Sequence, residues 1–149
     1  MRAIFTAALI GCTVMATSAM AQDSYMVVPK AEQKFKAGPG GLYNQVLLLN
    51  HKNAQANITT RDKDGQAELH AAWEDHIFIL DGEVNLVLGG TVDKPTSTGP
   101  GETRGAGIKG GKSFTVHAGD YFYVPINTPH QMLVPAGKAV KYAVVKTHP

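Results

Sequence analysis

The chain has 149 residues, 44% of them hydrophobic, with 14 Lys and Arg against 12 Asp and Glu, a formal net charge of +2 and one cysteine. A near-neutral balance with no basic run and no basic-aromatic stripe argues against nucleic acid as a partner. One cysteine leaves no intrachain disulfide, so stability has to come from a packed core.

Residues 1–21 carry a single positive charge, Arg2, ahead of a long run of apolar and small residues. The run ends in Ala19-Met20-Ala21, an A-x-A cleavage site. This pattern predicts a secretory signal peptide, and hence a periplasmic or secreted protein with no stable membrane insertion once the leader is removed. Leu9-Ile10-Gly11-Cys12 offers a lesser alternative, a lipobox in which acylated Cys12 becomes the mature N-terminus, but apolar sequence continues beyond it. Cleavage after Ala21 leaves residues 22–149, enough for one domain of ordinary size. That mature chain has no cysteine, which removes thiolate catalysis.

Beyond a short helical turn near residues 31–35, no stretch has helical periodicity. Short β-rich runs are predicted at 25–28, 46–49, 56–60, 66–70, 76–80, 83–88, 113–117, 120–124, 130–134 and 140–146, separated by Gly, Pro, Asn and Asp. Regular spacing of this kind predicts a β-sandwich or barrel. Asp81-Gly82, flanked by apolar runs, predicts a hairpin with a type I′ turn.

Side chains alternate across a strand, so Glu68 and His70 share one face, as do Asp75, Ile77 and Ile79, and His130, Met132 and Val134. Closing the sheet would turn these faces inward. Polar groups then cluster at one end of a cavity otherwise lined by Ile, Met, Val and Tyr123, the composition of a small-molecule pocket. His76 should face away from Asp75. Trp73, in the turn between the Glu68 and Asp75 strands, is expected either to cap the core or to form a stacking wall for substrate. Residues 89–112 hold eight glycines and the string GPGETRGAGIKGG, a composition that by itself describes a surface loop.

In the stretch GDYFYVPINTPH, a Gly119-Asp120 turn starts a strand, and the turn from Pro125 to Pro129 reverses the chain and fixes the direction of His130. An imidazole held this way suits metal binding or proton transfer. With Gly119, Pro125, Asn127 and His130 so spaced, the stretch resembles the second cupin motif. Upstream, AELHAAWEDHIFILDGEV resembles the first, which reads His, any residue, His, three or four residues, Glu, six residues, Gly. His70 and Gly82 are kept, Asp75 stands at the Glu position, and Glu68 stands at the first His position.

The resemblance covers about residues 43–146 and is to small single-domain bacterial cupins, RmlC-like, of a group with no assigned activity. It implies an all-β fold, the double-stranded β-helix or jelly-roll-like barrel, with motif 1 at about 68–82 and motif 2 at 119–134. It also implies that GGTVD, PGETRG and the later GG make residues 89–112 a flap over the barrel mouth. Arg104 would there offer a planar fork to an anionic substrate or to Asp75 or Glu68.

The same resemblance implies Glu68, His70, Asp75 and His130 as ligands of a divalent metal. Two neutral imidazoles and two carboxylates leave such a site with no net charge, where the usual three His and one Glu leave +1. The harder oxygen donors favour Mn, Fe or Zn. Open coordination positions would take substrate or dioxygen, or acidify a bound water, as in an oxygenase, isomerase or lyase acting on a small, anionic organic molecule. A competing reading needs no metal: His70 and His130, with Tyr123 or Tyr121 donating a second proton, form the acid and base of an epimerase or isomerase. A third is a binding module without turnover. An open barrel also leaves sheet edges that a second copy could cover, as a homodimer.

Overall fold

The computed structural model describes residues 25–38 and 42–149, and period-two alternation of apolar residues carries through to twelve strands between residues 42 and 147. The expected signal peptide and Cys12 lie outside these residues. The strands are β1 (Leu42–Asn50), β2 (Ala54–Arg61), β3 (Ala67–His70), β4 (Glu74–Leu88), β5 (Thr91–Asp93), β6 (Thr96–Gly99), β7 (Glu102–Gly105), β8 (Gly107–Lys109), β9 (Lys112–His117), β10 (Tyr121–Val124), β11 (His130–Leu133) and β12 (Val140–Thr147). A single 3-10 turn, Lys30–Glu32, stands near the expected helical turn. Residues 25–28, expected as a strand, have no regular structure, and Tyr25, Met26 and Val27 are exposed.

All pairings are antiparallel, in the order β1-β2-β12-β4-β11-β3-β7-β6, with β9 and β10 also bonded to β4. The first half of β4 pairs β12 and β10, and the second half pairs β9 and β11. β4 therefore passes from one face of a curled sheet to the other. The expected hairpin at Asp81-Gly82 is not formed: the two apolar runs are one bent strand. Gly82 has φ +78, and the register against β12 slips nearby. A Cβ on Gly82 would collide with the carbonyl of Ala139, so the glycine serves a bend with close backbone approach rather than a two-residue turn.

Between the two faces pack Ile77, Ile79, Val84, Leu86, Phe122, Val124, Met132, Val134, Val140, Tyr142 and Val144. Residues 89–112 are strands rather than loop. β5 pairs β8, β6 pairs β7, and β7 continues the sheet beyond β3 with Glu68 opposite Arg104 and His70 opposite Glu102. The turn before β11 is held at both ends. The Asn127 amide, with φ +58 at that residue, donates to the His70 carbonyl at 2.7 Å, and the Gly89 amide donates to the Pro129 carbonyl at 2.8 Å. His130 is thereby fixed beside β3, in register with Glu68.

Candidate metal centre and cavity

Five strands bring titratable side chains to one place. Glu68 and His70 come from β3, Asp75 from β4, Glu102 from β7, His130 from β11 and Lys146 from β12. His70 and Asp75 are each 3% exposed and His130 5%, while Glu68 faces a cavity of about 230 Å³.

Each imidazole has its Nδ1 engaged behind it. His70 Nδ1 bonds Glu102 Oε2 at 2.7 Å, and His130 Nδ1 donates to the Thr128 carbonyl at 3.1 Å. Both Nε2 atoms therefore point forward, the arrangement in which histidines ligate metals. Ligand atoms of Glu68, His70 and His130 all lie within 4.8 Å of one another. Asp75 Oδ2 is 3.5 Å from His70 Nε2 and 3.6 Å from His130 Nε2. Two nitrogens with carboxylate oxygens make a donor set that fits Mn²⁺, Fe²⁺ or Zn²⁺.

Lys146 complicates the set. Its Nζ is 2.6 Å from Asp75 Oδ1 and 2.8 Å from His70 Nε2. Only one nitrogen of the Lys146–His70 pair can carry a proton on the line between them, so they share it. Arg104 adds a second cation, 3.1 Å from Glu102 and 3.5 Å from Glu68.

The two imidazoles are pushed apart in basicity. Burial works to lower His70, but hydrogen bonds to Asp75 and Glu68 outweigh it and raise the ring to about 9. Burial wins at His130 and holds it below its ordinary value, despite the charges of Glu68 and Asp75. Burial would raise Glu68, yet the His70 hydrogen bond and the charges of His130, Arg104 and Lys146 bring it down to about 2. Asp75 is lowered against its burial by His70, Lys146 and His130.

Several solved structures share this arrangement of strands. They include a predicted oxalate decarboxylase from Thermotoga maritima, with 16% identity over 83% of this chain and 100% of that one, at a TM-score of 0.61. KdgF from Halomonas sp. has 12% identity over 83% of this chain and 96% of its own, at 0.60. The iron(II) form of HppE has 16% identity over 85% of this chain and 62% of its own, at 0.57. These are cupin-family structures. The chain has the cupin fold. No family model and no curated protein sequence matches it.

Within the cupin barrel, the four residues expected as ligands are neighbours, and Arg104 forks between Glu68 and Glu102. Tyr123 is elsewhere. It is 42% exposed on the outer face of β10, donates its hydroxyl to Glu74 and lies against His76, whereas Phe122 and Val124 point inward. No inward tyrosine comes from that strand. Tyr121 is likewise outside, bonded to His76 Nδ1 at 2.8 Å. Trp73 is half-buried against His148, with ring centroids 3.8 Å apart, and does not line the cavity. Among the described residues, Tyr142, buried on β12, lines it instead. Lys146 and Glu102 were not anticipated. Lys146 continues the inward series Val140, Tyr142, Val144, a period-two signal that would have placed it.

Proposed function

We propose that this cupin holds a divalent metal on Glu68, His70 and His130, with Asp75 beside them, and converts a small organic anion in the adjoining cavity by proton transfer, as an isomerase or lyase. The observation that carries this reading is the convergence of two Nε2 atoms, each anchored through its Nδ1, with a carboxylate oxygen at the cavity wall. A metal there would polarise a substrate carbonyl or acidify a bound water. Ile77, Met132 and Val144 exclude water from the carbon skeleton, and Arg104 at the wall supplies charge for an anionic group. Without metal, His130, kept neutral by burial, would accept a proton through Nε2, and the Lys146–His70 pair would hold one to return. Similar folds include structures named as a predicted oxalate decarboxylase and as the iron(II) form of HppE, which supports a reading with metal at the site.

Elemental analysis of protein purified without a histidine tag tests the reading. Stoichiometric Mn, Fe or Zn in the native protein, lost in folded His70→Ala and His130→Ala variants, is the expected result. Absence of metal with turnover lost in both variants would instead support acid-base catalysis without metal. The contact of Lys146 with both His70 and Asp75 favours that second reading, because an ammonium already neutralises donors a metal would use.

We also propose that the protein is exported with cleavage after Ala21, on the strength of the A-x-A site and the short charged leader. Intact mass of protein from the periplasm or medium decides it, and a lipidated Cys12 as first residue would overturn it.

A further inference from the structure

β2 is built inside out. Its inward residues are Asn57, Thr59 and Arg61, exposed by 6%, 2% and 5%, while Ile58 lies on the opposite, half-buried side. Its neighbour β12 turns Val140 and Val144 to the core, and β4 beyond it turns Ile77 and Ile79 there. A polar ladder at a core position weakens the fold unless each group finds a partner. Asn57 Oδ1 is buried and finds none among the described residues. All three side chains line the same cavity as Glu68, Asp75 and His130. Arg61 is given room there by Gly65, where a Cβ would come within 2.9 Å of its guanidinium. Tyr142 reaches it by a hydrogen bond.

We infer that this ladder is the substrate-recognition wall, and that the ligand is a small hydroxycarboxylate. Its carboxylate lies on the Arg61 fork, a hydroxyl donates to Asn57 Oδ1, and its far end reaches the Glu68–His70–His130 cluster. The inference rests on the proposal that the cavity binds a small organic anion, and adds which chemistry selects it. A planar guanidinium matches the two oxygens of a carboxylate, and a buried amide oxygen without a donor selects for a hydroxyl. Leu42, Ile77, Met132 and Val144 supply an apolar side for the carbon chain. A cavity of about 230 Å³ suits a small acid, for which a four-carbon hydroxy acid serves as the probe.

Calorimetric titration of the full mature protein with threonate, threonamide and butyrate tests it. Threonate is expected to bind at least about tenfold more tightly than either the uncharged amide or the deoxy acid. Arg61→Gln should erase the preference for acid over amide, and Asn57→Leu the preference for threonate over butyrate, with thermal melting confirming the fold. Should Arg61→Gln fail to fold, Arg61→Lys, which keeps charge but loses the fork, should still weaken threonate by about tenfold. Equal binding of acid and amide, no binding of any of the three, or preferences that survive both substitutions would overturn the inference. Metal content is measured on the same samples. Selective acid binding without metal removes only the metal proposal, and metal without acid selectivity removes only this one.

Discussion

The Nζ of Lys146 lies 2.8 Å from the Nε2 of His70, the nitrogen that a metal in the cluster would use. Metal binding at His70 therefore has to displace that contact. Lys146→Met is expected to raise affinity for Mn²⁺ or Zn²⁺ by about tenfold, since a competing cation is removed. Competition titration with a chelating dye measures it, and weaker affinity in the variant would show that Lys146 supports the site.

Glu102 stands behind the same histidine. Glu102→Gln keeps the shape but weakens the hydrogen bond that directs Nε2 forward, and metal affinity is expected to fall by about 10–100-fold. Equilibrium dialysis at fixed pH checks this. An unchanged constant would mean that β7 does not orient the ligand.

In metal-free protein, His70 is raised from 6.5 to about 9, so its stabilising contribution is complete below pH 6.5 and is lost as pH rises through about 9. Glu68 is lowered from 4.5 to about 2, so its contribution is present above pH 4.5 and is lost as pH falls towards 2. Asp75 acts in the same direction as Glu68, and His130, which resists protonation where it is buried, further weakens the fold on the acid side of 6.5. Urea midpoints should therefore decline on both sides, and His70→Gln should flatten the alkaline limb. An alkaline limb unchanged in that variant would assign the loss to another group.

Gly82 and Gly119 both have positive φ, +78 and +95, but only Gly82 is crowded. Gly119→Ala should cost about 1–2 kcal/mol of backbone strain alone. Gly82→Ala should cost more, roughly 3 kcal/mol or above, because the Ala139 carbonyl must also move. Equal costs by chemical denaturation would mean that the bend of β4 yields easily.

Much of the barrel was legible in the spacing of turn residues and in the alternation of Asp75, Ile77 and Ile79 or His130, Met132 and Val134. The inward direction of β10 was not, because Tyr121, Phe122, Tyr123 and Val124 are all apolar enough to sit on either face. Asp81-Gly82 carries the same signal for a tight turn and for a bend, and only the partners of β4 on both sides separate them. Glu102 was hidden because glycine-rich composition masks short strands. Arg61 and Lys146 were hidden by the rule that charge lies outside. For Lys146 the strict alternation with Val140, Tyr142 and Val144 pointed the other way, whereas in β2 the apolar Ala56 and Ile58 stand on the opposite face from Arg61, so alternation there misleads.

The side chains of the candidate centre come from five strands that span residues 68 to 146, and the adjacent β3 and β4 supply no more than half of them. No single strand or hairpin can therefore assemble the chelate, and a nascent chain acquires it only when β11, which carries His130, has docked beside β3. A bound ion would then act as a molecular clasp, engaged by finished molecules and ignored by partial ones, adding stability in proportion to the logarithm of its free concentration.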